Sequence, residues 1–265
     1  MQDRYTFDVG DFGKYGLLRA ICGSKPITPN LSLGVVWYLT PDEQHNADGK
    51  HLSYLLVEKP EYSLCDPGLY YEMRRLLISE DGGPVPERRR VATVEQSSIL
   101  PSGTAFYGEP LSFSNNTTPA FRLAARNAWV QRALSATAGY EVVFLDPDNG
   151  VECSSARRTN NNGTKYTFWD EVKAFSSRGQ SVVVYHHLNR TAAVKVQVAT
   201  LATEFRRRMP GSTDVSALVF RRGTCRAYFI VAVPDHHERI RNRVRQMLTG
   251  PWSRHFELAA SLPPV

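Results

Sequence analysis

Long hydrophobic runs and paired cysteines are both missing from this chain of 265 residues. No apolar stretch approaches the roughly 20 residues of a membrane-spanning helix, which excludes a protein built on such helices. The cysteines, Cys22, Cys65, Cys153 and Cys225, include no Cys-x-x-Cys pair, so a structural zinc site made from them is not expected. The segment Met1-Gln2-Asp3-Arg4 lacks the charged and apolar regions of a secretory signal. Scattered thiols without such a signal are typical of a cytoplasmic protein.

Internal repeats and an evident domain boundary are absent as well. A chain of 265 residues with 42% hydrophobic content can bury one substantial core. We therefore expect a single domain over residues 1–265. Within it, residues 97–119 are rich in Ser, Thr, Pro and Asn, which predicts an insertion or a lid.

Apolar runs at residues 33–39, 142–145 and 181–185 have the character of strands buried on both faces. Helical spacing predicts helices at 11–22, 68–78, 121–136, 166–175, 191–208 and 235–248. Two further runs, 215–220 and 226–233, flank a tight turn and predict an antiparallel hairpin. This order predicts an α/β fold with a doubly wound, mainly parallel Rossmann-like sheet and a C-terminal antiparallel β-hairpin.

The most informative segment is Asp146-Pro147-Asp148-Asn149-Gly150, which ends the second buried run. Proline cannot donate a sheet hydrogen bond and Asn-Gly favours a tight turn, so the strand stops there. Two carboxylates and an amide thus follow the carboxyl end of a strand, where open α/β sheets bind their ligands. Asp146, Asp148 and Asn149 are therefore our first candidates for an active site.

Two other strand ends carry polar residues of the same kind. Asp42, Glu43 and Lys50 follow the first run, and His186 and His187 follow the third. If the strands are parallel neighbours, these groups share one edge of the sheet, and such a density of ionisable side chains predicts an active site. Adjacent side chains in a strand point to opposite faces, so at most one histidine enters the site, and we favour His186.

The first predicted helix begins at Asp11, which is placed to cap it. Gly10, Gly13 and Gly16 are evenly spaced around its start. They are not the Gly-x-Gly-x-x-Gly dinucleotide signature, because no strand precedes them, and they indicate close packing of the helix instead. Asp11 and Lys14 nevertheless keep a contribution of this helix to the site open.

Positive charge is in excess, at a net +6, and much of it is clustered. The clusters are Arg88-Arg89-Arg90, Arg206-Arg207-Arg208, Arg221-Arg222, and Arg239, Arg241, Arg243 and Arg245 in the last predicted helix. Arginine forks onto phosphate oxygens, which favours nucleic acid or a nucleotide as the partner. The alternative is that these arginines pair locally with the 26 acidic residues.

The element order is similar to that of class I S-adenosylmethionine-dependent methyltransferases, whose seven-stranded sheet ends in such a hairpin. In the amino-methylating members, an Asp/Asn-Pro-Pro-aromatic loop follows the fourth strand, and Asp146-Pro147-Asp148-Asn149 occupies the corresponding place. Phe7-Asp8-Val9-Gly10-Asp11-Phe12 also resembles the N-terminal segment of the bacterial adenine-N6 methyltransferases of large-subunit rRNA. The order of strands and helices is similar over most of the chain, whereas the similarity in amino-acid sequence is restricted to these two short motifs.

This resemblance implies a methyltransferase-like enzyme with S-adenosylmethionine as cofactor and a nucleic-acid base as acceptor. The residues expected to contact the cofactor are Asp11, Asp42, Glu43 and Lys50. The residues expected to act on the acceptor are Asp146, Asp148, Asn149 and His186. Asp146 would accept a hydrogen bond from the target amino group, and Asn149 would supply a second one.

Departures from the family pattern leave two alternatives open. The first strand runs into Thr40-Pro41-Asp42-Glu43 where the family has a glycine-rich loop, and Leu17-Leu18 replaces a Lys-His pair. One alternative is a metal-dependent phosphodiesterase or nuclease. Its hard divalent cation, Mg or Mn, would take oxygen ligands from Asp42, Glu43, Asp146, Asp148 and Glu152. The other alternative is a catalytically inactive module that binds nucleic acid.

Overall fold

The computed structural model describes residues 1–23, 31–43, 49–114, 116–209 and 214–260. The strands are β1 (Leu33–Trp37), β2 (Ala105–Tyr107), β3 (Val142–Asp146), β4 (Gly150–Val151), β5 (Tyr166–Thr167), β6 (Ser181–His187), β7 (Asp214–Arg222), β8 (Thr224–Ala232) and β9 (Phe256–Ala260). The helices are α1 (Val9–Cys22), α2 (Ser53–Leu56), α3 (Pro60–Ser63), α4 (Pro67–Leu77), α5 (Val91–Glu95), α6 (Pro119–Ala136), α7 (Trp169–Ser176), α8 (Val194–Arg208) and α9 (Pro234–Thr249). Short 3-10 turns lie at Asp3–Tyr5, Pro86–Arg88, Asn161–Lys165 and Pro251–Arg254.

Seven strands form the central sheet in the order β2-β1-β3-β6-β8-β7-β9. Strands β2, β1, β3 and β6 are parallel, β8 is antiparallel to both β6 and β7, and β9 is antiparallel to β7. The predictions of an α/β class, of parallel neighbours β1, β3 and β6, and of a closing hairpin are confirmed. Helix α9 follows the hairpin, as predicted, and strand β9, which was not predicted, follows α9.

The central strands form because both of their faces are covered. All residues of β1 and β3 are buried, and successive side chains enter two different cores. Val35 and Phe144 belong to the core that contains residues of α1, α4 and α9, whereas Val36 and Leu145 belong to the core with residues of α6, α7 and α8. Alternating apolar side chains on a doubly covered sheet explain why the strands read as unbroken apolar runs.

Helix α1 approaches its neighbours closely, as the glycine spacing predicted. A Cβ atom at Gly13 would lie 2.6 Å from the ring of Phe220, and one at Gly16 would lie 2.2 Å from the ring of Trp252. The helix begins two residues earlier than predicted, at Val9, because the Asp8 side chain caps it by accepting from the Gly10 amide at 2.9 Å. Asp8 rather than Asp11 is therefore the N-cap residue, and Asp11, in the first turn, accepts from the Phe7 amide at 3.0 Å.

Residues 97–119, the predicted insertion or lid, contribute strand β2 to the edge of the sheet, where it pairs in parallel with β1. Another difference lies at residues 166–175, where a short strand, β5, precedes helix α7. Helical spacing alone did not separate the two, because the apolar residues of β5 and α7 follow one another without a turn residue between them. Strand β9 was not predicted at all.

Candidate active site

A pocket of about 390 Å³ lies where β3 and β6 end and where α1 and the β7–β8 hairpin meet them. Its position matches the expectation that the strand-end residues share one edge of the sheet. The acidic side chains of its lining are Asp8, Asp11, Glu43, Asp146 and Asp148. The basic side chains of its lining are Lys14, Lys50, Lys165 and Arg226. The pocket therefore presents both signs of charge in nearly equal number.

Lys14 stands at the centre of the acidic groups. Its Nζ lies 2.8 Å from Oδ1 of Asp11 and 2.8 Å from Oδ2 of Asp146, and all three side chains are buried. Helix α1 places Lys14 one turn after Asp11, and Asp146 is the last residue of β3. Buried charges need such partners, because an isolated ion is costly to remove from water. The trio ties the N-terminal helix to the strand-end loop.

Burial and neighbouring charge shift the pKa values of Lys14 and Asp11. Burial works to lower the pKa of Lys14, but the carboxylates of Asp11 and Asp146 outweigh it and raise the pKa above its usual value. Lys14 is therefore a permanent ammonium group. Burial raises the pKa of Asp11, and the nearby carboxylates of Asp146 and Asp8 act in the same direction, while Lys14 opposes them. Two buried carboxyl groups thus share one ammonium group.

Asp148 is held by a separate set of donors. The Met1 amino group lies 3.2 Å from its Oδ1, the Gln2 side-chain amide donates to its Oδ2 at 2.8 Å, and the Lys165 ammonium lies 4.0 Å away. Burial works to raise the pKa of Asp148, but these partners outweigh it, so the pKa is lowered. Lys165 also pairs with Glu43. Asp148 and Glu43 thus form one acidic corner of the pocket.

A second corner is organised by Asp8, which joins three parts of the chain. Its Oδ1 accepts from the Arg226 guanidinium at 3.0 Å, and its Oδ2 accepts from the His51 amide at 3.0 Å. The Val9 amide donates back to the His51 carbonyl at 3.1 Å. A Cβ atom at Gly223, in the β7–β8 turn, would lie 2.9 Å from the His51 ring, so the turn packs directly on this loop.

Tyr185 also lines the pocket, although the sequence indicated a core aromatic. Its ring packs edge-on against Tyr228, with centroids 5.9 Å apart, and lies 5.9 Å from the Lys14 ammonium. Burial raises the pKa of Tyr185, while the positive charges of Arg226 and Lys14 act against that rise. The phenol therefore stays protonated at neutral pH and can donate a hydrogen bond into the pocket.

The structure brings six of the eight predicted site residues together. The pocket lining contains Asp11, Glu43, Lys50, Asp146, Asp148 and Asn149. It does not contain Asp42 or His186. Asp42 is exposed and accepts from the Arg4 amide at 3.2 Å, so it braces the N-terminal segment from outside.

His186 points away from the pocket, and His187 lines it instead. The Nδ1 atom of His186 accepts from the Val151 amide at 3.1 Å, and its ring lies against Gly150, which has φ of +109°. Burial lowers the pKa of His186 to about 4, so its ring is neutral and acts as a structural acceptor. The sequence predicted that the two histidine side chains point to opposite faces of the sheet, but it did not predict on which face the pocket opens.

Three site residues were missed or undervalued by sequence reasoning: Lys14, Tyr185 and Arg226. Lys14 carried a signal, because a lysine one turn after Asp11 faces the same side of a helix. Tyr185 and Arg226 lie on neighbouring strands β6 and β8, a pairing that only the sheet order establishes. The signal for Arg226 in the sequence was its charge, since the strand around it is otherwise mostly apolar.

Most of the clustered arginines are engaged in contacts inside the protein. Arg207 and Arg208 pair with Glu204, and Arg221 pairs with Glu257. Further arginines contact protein groups as follows: Arg88 with the Leu76 carbonyl, Arg89 with the Thr6 carbonyl, Arg206 with the Val215 carbonyl, Arg222 with His255, Arg239 with Glu141, Arg241 with Asp214 and Arg243 with the Ile21 carbonyl. Local pairing, the alternative to phosphate binding, therefore accounts for much of the arginine clustering.

Two features bear on metals and membranes. Within the described ranges, no three His, Cys, Asp or Glu side chains are grouped closely enough to hold a metal ion. In the same part of the chain, no helix combines the length and the apolar character needed to cross a bilayer. The four cysteines are free thiols.

Comparison of the chain with models of protein families, with curated proteins and with solved structures finds no match.

Proposed function

We propose that this protein is an S-adenosylmethionine-dependent methyltransferase that acts on an amino group of a nucleic-acid base or nucleotide. The observation that carries this proposal is the pocket of mixed charge beside Asp146-Pro147-Asp148-Asn149, at the carboxyl edge of adjacent parallel strands. The order of strands, with an antiparallel strand inserted between β6 and β7, supports the resemblance from which the expectation arose.

The chemistry of the pocket lining fits the cofactor. S-adenosylmethionine carries an ammonium group, a carboxylate and ribose hydroxyls, and when bound it supplies an electrophilic methyl group. Glu43 and Asp148 offer carboxylates for the ammonium group and the hydroxyls, and Lys165 beside them offers a positive charge for the carboxylate. The ring of Tyr5, which also lines the pocket, offers an apolar face for the adenine. A ligand of one charge sign would meet repulsion here from about half of the charged side chains in the lining.

Asp146 would receive the amino group of the acceptor. Its Oδ2 is occupied by Lys14, whereas its Oδ1 accepts no hydrogen bond from any residue in the described ranges. The ion pair with Lys14 fixes the carboxylate, so that the remaining oxygen points in a defined direction. An amino group that donates to this oxygen is held in one orientation, and orientation is the main requirement of such a transfer.

Hydrolysis of phosphodiesters with a divalent cation is the second candidate, and the number of carboxylates in the pocket favours it. Asp146 and Asp148, however, are paired with the ammonium groups of Lys14 and Met1. A metal ion would have to displace these partners before it could take both carboxylates as ligands. The methyltransferase proposal keeps the Lys14–Asp146 pair as it stands.

Calorimetric titration tests the proposal. The wild type is titrated with S-adenosylmethionine and, separately, with Mg²⁺ and Mn²⁺. Saturable cofactor binding that is weakened by Asp148→Asn, and left unchanged by Asp81→Asn in an exposed loop, would support it. Asp146→Asn should retain cofactor binding but lose transfer of a labelled methyl group to oligonucleotide or nucleotide acceptors.

The other outcomes reject methyl transfer. Metal binding that is lost in Asp146→Asn, without cofactor binding, would favour the hydrolase. Absence of both kinds of binding would favour the inactive binding module.

A further inference from the structure

The positive groups at the Asp8 corner of the pocket differ from the clustered arginines in having unused hydrogen-bonding capacity. The Lys50 side chain is exposed at the pocket rim and makes no ion pair or hydrogen bond with any residue in the described ranges. In the same ranges, the ring nitrogens of His51 contact no polar group, although its backbone is fixed by Asp8 and Val9. These two side chains therefore line the pocket without a counterion from the residues that the structure describes.

Arg226 supplies a positive charge to this corner, and it is nearly buried. Its side chain is 12% exposed, Nη2 donates to Asp8, and Nη1 donates to the carbonyls of Arg222 and Thr224. Among the residues that the structure describes, Nε has no acceptor. Burial works to lower the pKa of Arg226, but the neighbouring phenols and carboxylates outweigh it and raise the pKa, so the charge is permanent.

Two hydroxyl groups complete the corner. Tyr185 lines the pocket next to Arg226, and its hydroxyl makes no hydrogen bond within the described part of the chain. Thr224, at the start of β8, is exposed at the rim. The side chains of Lys50, His51, Arg226, Tyr185 and Thr224 therefore add three nitrogen-containing groups and two hydroxyls to the lining of the pocket.

From this geometry we infer that Lys50, His51 and Arg226, with Tyr185, form a phosphate-binding subsite for the nucleotide that is methylated. This inference rests on the proposed function, since it names the acceptor of that reaction. A phosphate monoester has three terminal oxygens and up to two negative charges, which match several donors better than the two oxygens of a carboxylate do. Lys50, which the sequence assigned to the cofactor, thereby belongs to the acceptor.

Asp8 has a positioning role in this subsite. It neutralises part of the Arg226 charge and holds the His51 backbone, so the two groups are fixed before a ligand arrives. Pre-organisation of this kind lowers the entropic cost of binding.

The test measures binding in the absence of S-adenosylmethionine, so its result does not depend on the cofactor. Inorganic phosphate, adenosine, adenosine 5′-monophosphate, and single-stranded oligonucleotides with and without a 5′-phosphate are titrated calorimetrically at low salt. We expect the monophosphate to bind about tenfold more tightly than the nucleoside, as one charge-assisted contact predicts. Lys50→Gln and His51→Gln should each remove most of this difference.

Lys195→Gln is the matched control, because Lys195 is an exposed lysine on α8 outside the pocket lining. Its affinity for the monophosphate should equal that of the wild type. Preference for the phosphorylated oligonucleotide over the mononucleotide would identify a strand end as the source of the phosphate, and the reverse preference would identify a free nucleotide. Either result supports the subsite.

Two results would overturn the subsite. The first is that the protein binds adenosine and adenosine 5′-monophosphate with equal affinity, and that a 5′-phosphate does not increase its affinity for any oligonucleotide. The other is a Lys50→Gln variant that binds the monophosphate normally but binds S-adenosylmethionine more weakly, which would return Lys50 to the cofactor carboxylate. Failure of the wild type to bind S-adenosylmethionine would reject the methyltransferase but leave the phosphate measurements intact.

Discussion

The ammonium nitrogen of Lys14 lies 2.8 Å from Oδ2 of Asp146, although 132 positions separate the two residues in the chain. This ion pair places a fixed positive charge beneath the strand-end carboxylate. It also joins α1 to β3 at the pocket wall, so the stability of the fold and the geometry of the site depend on the same contact.

Removal of the Lys14 charge should destabilise the protein strongly. Lys14→Met leaves the buried carboxylates of Asp11 and Asp146 without their counterion, and loss of one partner of a buried ion pair costs about 3–5 kcal/mol. Urea unfolding followed by circular dichroism measures the change in the free energy of unfolding. The double variant Lys14→Met/Asp11→Asn should recover part of the loss, because one fewer carboxylate is left unpaired.

The control for this experiment is Lys173→Met, which replaces an exposed lysine on α7. Its free energy of unfolding should stay within about 0.5 kcal/mol of the wild-type value. If Lys14→Met unfolded at the same urea concentration as the control, the trio would not be a stabilising element.

The stability of the protein should fall between pH 6.5 and pH 4 in a way that depends on His186. Burial lowers the folded-state pKa of His186 to about 4, from its ordinary value of 6.5. In this pH window the unfolded chain binds the proton and the folded chain does not, so stability decreases as the pH falls. The shift corresponds to about 3 kcal/mol at most.

His186→Asn removes the titrating group while its side-chain oxygen can still accept from the Val151 amide. The free energy of unfolding of this variant, measured at pH 7 and at pH 4, should change by about 2–3 kcal/mol less than that of the wild type. His237→Asn, at a half-buried position on α9, should retain the wild-type dependence. Identical pH profiles for the wild type and His186→Asn would contradict the assignment.

Because α1 packs closely on its neighbours, adding even a methyl group at Gly16 should destabilise the folded protein. Gly16→Ala would bring a Cβ atom to 2.2 Å from the Trp252 ring, and relief of this overlap requires movement of a buried aromatic residue. Overpacking of this kind costs about 1–3 kcal/mol. Gly83→Ala is the control, because its Cβ atom would meet nothing within 4 Å. Thermal unfolding of both variants checks the difference, and equal melting temperatures would show that α1 can shift freely.

Alkylation should distinguish the cysteines by position. Partial burial works to raise the pKa of Cys153, but hydrogen bonds from Ser155 and Tyr166 outweigh it and lower the pKa. Cys22 is buried, which raises its pKa to about 12. Because the thiolate is the reactive form, iodoacetamide at pH 8 should label Cys153 first in the native protein, and Cys22 only after unfolding. Peptide mass spectrometry reads the order, and early labelling of Cys22 would contradict it.

The main strands and helices followed from local pattern. Apolar runs located β1, β3 and β6, and the Asp-Pro-Asp-Asn-Gly turn located the point at which β3 ends. These features depend on neighbours in the chain, so periodicity and turn chemistry are enough to find them. The same reasoning placed most candidate residues at one edge of the sheet, because parallel strands end on the same side.

Strand β9 and the paired arginines show where local pattern is insufficient. Strand β9 pairs with the open edge of β7, and Arg221 of β7 then forms an ion pair with Glu257 of β9, with Nη2 2.9 Å from Oε2. Neither effect leaves a mark in the neighbouring sequence. Both arise when the chain returns to an element formed earlier.

The sequence by itself determined the alternation of elements, the burial of the central strands and the supply of polar groups at their carboxyl ends. Tertiary structure alone decided that His187 rather than His186 enters the pocket, and that Lys14 pairs with Asp146. It also decided that Arg226 meets Asp8 across the sheet. The physical reason is that hydrophobic period and turn geometry act over a few residues, whereas a buried charge selects its partner from whatever the packed chain brings within a few ångströms.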